Sequence, residues 1–155
     1  MSAKGEFFKA KIRTAALNSV RDGVEVSAIR LQTNIKKILN QKDSGKEVRT
    51  RVRNTSKGAA GSTYTVWTSG APAGQPPYKF TGELGRRIDV DLSRIDTAKP
   101  SARVGTNLVY ARPLEYGSRR NAPHPFMRPT LVNSKTELAE LFQKKVFASF
   151  RRYMR

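Results

Sequence analysis

The chain has no cysteine, one histidine, one tryptophan, and only 12 acidic residues against 30 Lys and Arg. Without cysteine, neither a disulfide scaffold nor a thiolate-ligated zinc site can form, so stability has to come from packing and assembly. With one imidazole, His124, a transition-metal site would have to be completed by carboxylates alone, a poor donor set. Long apolar runs are missing too. The opening stretch MSAKGEFFKAKIR intersperses charges with single or paired apolar residues, and no run reaches signal-peptide or membrane-spanning length. The expectation is a protein soluble and intracellular at synthesis, with no membrane partner and no cofactor.

The 155 residues suffice for one domain over 1–155. Leu, Ile, Val and Phe number only 34, close to the level of roughly 20% below which highly charged chains stay unfolded. A core this thin predicts segments that become ordered only against neighbouring subunits. The net charge of +18 is self-repelling and calls for a polyanion or acidic protein surfaces nearby, nucleic acid foremost.

Phe8, Ile12, Ala16, Val20, Val24, Ala28, Leu31, Ile35 and Ile38 recur at steps of three or four, which predicts one long amphipathic helix over about 1–41. Gly23 lies in its middle, costs about 1 kcal/mol relative to Ala, and marks a candidate break. Residues 42–61 abandon the helical period and read as a basic flexible loop or hairpin. There Arg49, Arg51 and Arg53 alternate with Thr50 and Val52, and Lys46 and Lys57 add charge. Over 62–131 come the strand STYTVWTS, a proline-bounded loop, a second strand in Leu84 to Leu92 and a short third in SARVGTN. Ser134-Lys-Thr-Glu137 has the capping-box form, so a carboxyl-terminal helix is expected over 132–155. The fold class expected is α+β: a long N-terminal helix, a small antiparallel β-sheet and a C-terminal helix, with sheet packed on helices.

Few residues suggest reaction chemistry. His124 stands between Pro123 and Pro125, which suits a hydrogen-bonded imidazole in a rigid turn better than a catalytic one. Asp89 and Asp91 form a pair of the kind that holds magnesium in nucleases, but their alternation with Ile88, Val90 and Leu92 is also that of a strand's wet face. No glycine pattern makes a phosphate cradle and no serine occupies a nucleophile elbow. No catalytic or metal residue is therefore assigned. Arg49, Arg51, Arg53 and Lys57 can follow a phosphate backbone or meet an acidic partner, or can guard a strand edge against aggregation. Arg151, Arg152 and Arg155 form a second basic cluster, equally suited to a helix C-terminus.

The stretch from Leu108 to Leu131 holds His124, four of the eight prolines and a cluster of rings. Together with GQPPYKFTGELGRRI, it carries spaced motifs in order. Thr81-Gly82-x-Leu84 follows a Pro-rich loop, and Val104-Gly105 leads to Tyr110-Ala111. Then come Glu115-Tyr116-Gly117-Ser118 and Pro125-Phe126-Met127-Arg128-Pro129. Over about residues 74–131 the chain resembles a family of small tailed-bacteriophage proteins of the virion neck, the head-to-tail joining or tail-completion components. Ser118 departs from the usual threonine, and residues 46–57 match no motif of the family.

The resemblance implies a non-enzymatic virion protein forming a homo-oligomeric ring, six- or twelve-fold, between the portal side and the tail. Its neighbours would be portal, adaptor or stopper proteins and tail-terminator or tail-tube proteins, with genome DNA passing non-specifically. Its location would be the virion neck, after assembly in the host cytoplasm. The interface residues implied are Thr81, Gly82, Leu84, Tyr110, Glu115, Tyr116, Gly117, Phe126, Arg128 and Pro129. Tyr110, Tyr116 and Phe126 would serve as aromatic anchors, Glu115 would meet an arginine such as Arg119 or Arg128 of the same or an adjacent subunit, and Gly117 would allow a positive φ. Charge alone supports a different reading, a nonspecific nucleic-acid-binding protein; Asp89 and Asp91 support a third, a metal-dependent nuclease.

Overall fold

A computed structural model describes residues 3–41, 47–52, 63–68, 71, 73–79, 81–119 and 122–155, with the backbone alone for 3–4, 47–52 and 63–68. Helix α1 runs over Ala3–Leu39, strands β1 and β2 over Glu47–Val52 and Thr63–Thr68, and a single turn of helix, α2, over Glu83–Arg86. Strands β3 (Asp89–Asp91) and β4 (Arg103–Gly105), helix α3 (Ala111–Tyr116) and helix α4 (Met127–Met154) complete the order.

The fold is mostly helical. The two long helices lie antiparallel, as pairings from Asn34 with Ser134 at one end to Asp22 with Ser149 at the other demonstrate. In place of one sheet there are two separate antiparallel pairs, β1 with β2 and β3 with β4. The expected sandwich of sheet on helices is thus corrected. At three residues each, β3 and β4 are too short to cover a helical layer, and α1 and α4 bury their facing sides on each other.

Helix α1 passes through Gly23 without interruption. The reason is packing: a Cβ built on Gly23 would lie 2.7 Å from Val146 Cγ2 and 2.8 Å from Phe142 Cδ2. Glycine lets α4 approach the α1 backbone here, and that contact offsets its poor helix propensity. The buried line in the first half of α1 is Ala15, Ser19 and Gly23; Phe8, Ile12 and Ala16 of the expected stripe are exposed. Ala16, Val20 and Val24 stand one residue, about 100°, round the helix from Ala15, Ser19 and Gly23, so the small residues and not the apolar stripe take the seam here.

Two further boundaries move. Leu84 does not begin a strand; Glu83 reaches Arg86 and Arg87 at 2.8 and 2.9 Å, closing a helical turn, and β3 follows it. Ile88 is buried, while Asp89 and Asp91 are exposed beside a half-buried Val90. Helix α4 starts at Met127, seven residues before the apparent capping box. Ser134 is buried mid-helix, accepting a hydrogen bond from Asn34, and Glu137 binds Arg30 and Asn34 across the seam.

The core is one cluster of Ile35, Leu39, Ile88, Ala111 and Phe126, with Leu31, Leu84, Val104, Leu108, Leu114 and Met127 packed around it. The basic segment does form a hairpin strand, with Arg49 paired to Val66 and Arg51 to Tyr64. Arg53 and Lys57 lie outside the described residues.

Candidate functional site

The residues flagged from Tyr110 onward converge on the start of α4. A helix start leaves four backbone N–H groups without intrahelical acceptors. Here Phe126 and Met127 donate to Glu115 Oε2 at 2.8 and 2.9 Å, and Arg128 donates to Oε1 at 2.9 Å. The fourth position is Pro129, which has no N–H. One buried carboxylate and one proline account for all four groups, and the negative charge lies at the positive end of the helix dipole. Within its own chain Glu115 therefore does not meet the guanidinium of Arg119 or Arg128. Arg128 gives it a backbone N–H, because donors already converging on a buried carboxylate satisfy it more cheaply than a flexible side chain drawn out of water.

Gly117 makes the return possible. It adopts φ 81° and ψ 172°, a conformation open essentially to glycine, directly after α3. The chain then doubles back, His124 N donating to the Leu114 carbonyl at 2.7 Å. His124 Nδ1 lies 3.2 Å from the Gln75 carbonyl oxygen, and Gly74 N donates to the Pro123 carbonyl at 2.9 Å. The imidazole thus joins two loops, the place foreseen for it in a rigid turn.

Gly117 and Pro129 shape the turn and the helix start, and the other implied interface residues separate into three sets. Thr81, Gly82, Leu84 and Tyr110 line one shallow groove of about 380 Å³, where Thr81 Oγ1 accepts the Glu83 N–H at 3.3 Å and Gly82 is left-handed. Glu115, Tyr116 and Arg128 line a larger groove of about 560 Å³ on the other side of α3. Phe126 belongs to neither; it is fully buried in the core, which corrects its assignment as an anchor for a partner. A ring flanked by prolines looks like a docking residue in sequence, but the Glu115 cap draws it inward.

Tyr116 is 71% and Tyr110 47% exposed, and both remain available to a partner. Sequence reasoning missed their neighbours. Val109 is 92%, Leu131 50% and Val132 65% exposed, and the floor of the larger groove is Leu31, Ile35, Val104, Leu108 and Met127. Val132, off the stripe of α4 that faces α1, was the available signal; Leu131, seven residues before Leu138, lies at the end of that stripe.

Among the described residues no three His, Cys, Asp or Glu side chains come together as a metal site. Asp91 accepts the Ser93 N–H at 2.9 Å, and hydrogen bonding to Ser93 holds its carboxyl below the usual range. Among the described residues no helix is long and apolar enough to cross a membrane. Comparison of the chain with protein-family models, with curated proteins and with solved structures yields no match.

Proposed function

We propose that the chain is a structural virion protein of a tailed bacteriophage. Six or twelve copies form a closed ring in the neck, joining the portal or connector to the tail and leaving a path for DNA. The observation that carries this reading is the exposed apolar surface around α3. Val109, Tyr110, Tyr116, Leu131 and Val132 stand open, while only seven hydrophobic residues are buried among the described ones. Tyr116 and Leu131 line one groove, and apolar surface gathered in this way on a highly charged protein marks an interface. It coincides with the stretch whose motifs resemble the neck family, and the Glu115 cap and Gly117 give that stretch a fixed shape before it docks, lowering the ordering cost. Heterologous contacts between copies close into rings when the rotation allows. Copies facing DNA would meet phosphates only, since a conduit accepts every sequence.

The test is the assembly state of the purified chain, alone and with portal-side and tail-side neck proteins, by light scattering and negative-stain imaging. Rings, alone or on a partner, are expected. A chain that stays monomeric and joins no neck assembly overturns the proposal.

The charge of +18 favours a second reading, nonspecific nucleic-acid binding outside the virion. It predicts duplex DNA affinity falling with salt at a slope of about 0.9 per phosphate contacted. A ring component binds free duplex weakly, so a flat salt dependence removes this alternative.

A further inference from the structure

The larger groove beside α3 has an apolar floor and a cationic rim. Leu31 of α1, Val104 of β4 and Leu131 of α4 line it and also line a second groove of about 520 Å³ that extends towards Phe142, so the two adjoin along these side chains as a trough in two parts. The only carboxylate among the described residues that line it, Glu115, is committed to three backbone N–H groups. Arg112 and Arg128 are exposed at the rim, and neither guanidinium forms a hydrogen bond or ion pair with a described residue. The trough therefore offers apolar contact along its length and two unspent cations at one end.

We infer that this trough binds a short apolar segment of another protein that carries carboxylates. Its apolar side chains lie along Leu31, Val104 and Leu131, and its carboxylates meet Arg112 and Arg128. Arginine suits that role, since its planar fork takes a carboxylate in two parallel hydrogen bonds. Tyr116 adds a rigid aromatic wall of the kind that dominates binding energy at interfaces.

Charge argues against a second copy of this chain as the occupant. With 12 acidic residues against 30 Lys and Arg, copies of the chain repel, and six of the 12 are already committed: Glu6, Asp22, Glu83, Asp96 and Glu137 each hold a cation, and Glu115 holds its helix start. An apolar floor also argues against a nucleic-acid backbone, which needs cations along its whole track. The inference is independent of a ring that closes through other surfaces; a ring closed across Tyr116 and Leu131 would cover the trough and exclude it.

The experiment pans a random dodecapeptide library on the immobilised full chain at physiological salt, then measures the best peptide by fluorescence anisotropy. Enriched peptides are expected to combine Leu, Ile, Phe or Met with Asp or Glu. R112Q/R128Q should weaken binding about ten-fold, and Leu131→Asp should abolish it. R151Q/R155Q, which removes the same charge elsewhere, should leave affinity unchanged. R112Q/R128Q keeps the Arg128 backbone bond to Glu115, so its thermal midpoint should match the parent protein.

Absence of enrichment, enriched peptides without carboxylates, or equal weakening by R151Q/R155Q overturns the inference. Self-association that R112Q/R128Q abolishes also overturns it, by placing a second copy in the trough.

Discussion

Towards its carboxyl end α1 buries Ile35 and Leu39 against Ile88, Ala111 and Phe126, whereas between Ala15 and Ser27 the same helix meets α4 through small and polar residues. The first region is held by removal of apolar surface from water, which is strong and indifferent to direction. The second is held by close approach at Gly23 and by directed bonds. Ser149 donates to Asp22 at 2.6 Å, Tyr153 reaches the same oxygen at 3.3 Å, and Arg152 completes the set at 3.2 Å. The difference separates two jobs within one helix pair: the apolar end supplies most of the stability, and the polar seam sets the register and closeness of the helices.

Breaking the apolar end should have the largest effect. Phe126→Ala empties a fully buried site and is expected to cost about 3–5 kcal/mol in urea unfolding. A loss below about 1 kcal/mol would mean that the site collapses freely and that the core lies elsewhere. Glu115→Ala comes next, at about 2–3 kcal/mol, because three N–H groups lose their acceptor. Glu115→Gln keeps an oxygen but not the charge and should cost less. Hydrogen exchange at residues 126–128 should speed up in the alanine variant before the rest of α4 does.

The seam should respond more weakly. Gly23→Ala places a methyl group against Val146 and Phe142, an overpacking cost of about 1–3 kcal/mol reduced by the roughly 1 kcal/mol that Ala gains in helix propensity. Adding Val146→Ala should recover part of the loss by thermal unfolding. No change in the single variant would show the seam to be loose, and the contrast with the apolar end would fade.

The smallest effect is a pH dependence at Glu137. Hydrogen bonds from Asn34 and then from Arg30 hold its carboxyl below the ordinary value of 4.5. A lowered folded-state value means that Glu137 contributes stability above its unfolded range and loses that contribution as the pH falls through the folded value. The thermal midpoints of the parent protein and Glu137→Gln should therefore differ at neutral pH and converge in acid. A gap that persists in acid would assign the effect to packing.

Much of α1 and α4 was legible from spacing alone, since their helical period survives in any context. The positive φ at Gly117 was legible as well, from a glycine placed between an aromatic and a small hydroxyl residue where the chain has to turn. The role of Glu115 was not. Its partners are main-chain groups 11 to 13 residues away, and every residue carries such groups, so no side-chain pattern announces them. Ser134 to Glu137 failed in the opposite sense, a local signature for a helix start overridden by a cap brought from another element.

Composition by itself settled that this protein has no disulfide, carries a large positive charge and owns too little apolar residue for a generous core, because those properties are sums over residues. Only the tertiary structure decided that Phe126 faces inward while Tyr116 faces out, that Gly23 joins helices where it looked like a break, and that Arg112 and Arg128 find no counterion among the described residues beside an apolar trough. Each of these depends on which distant atoms arrive next to a side chain, and that is settled by packing in three dimensions.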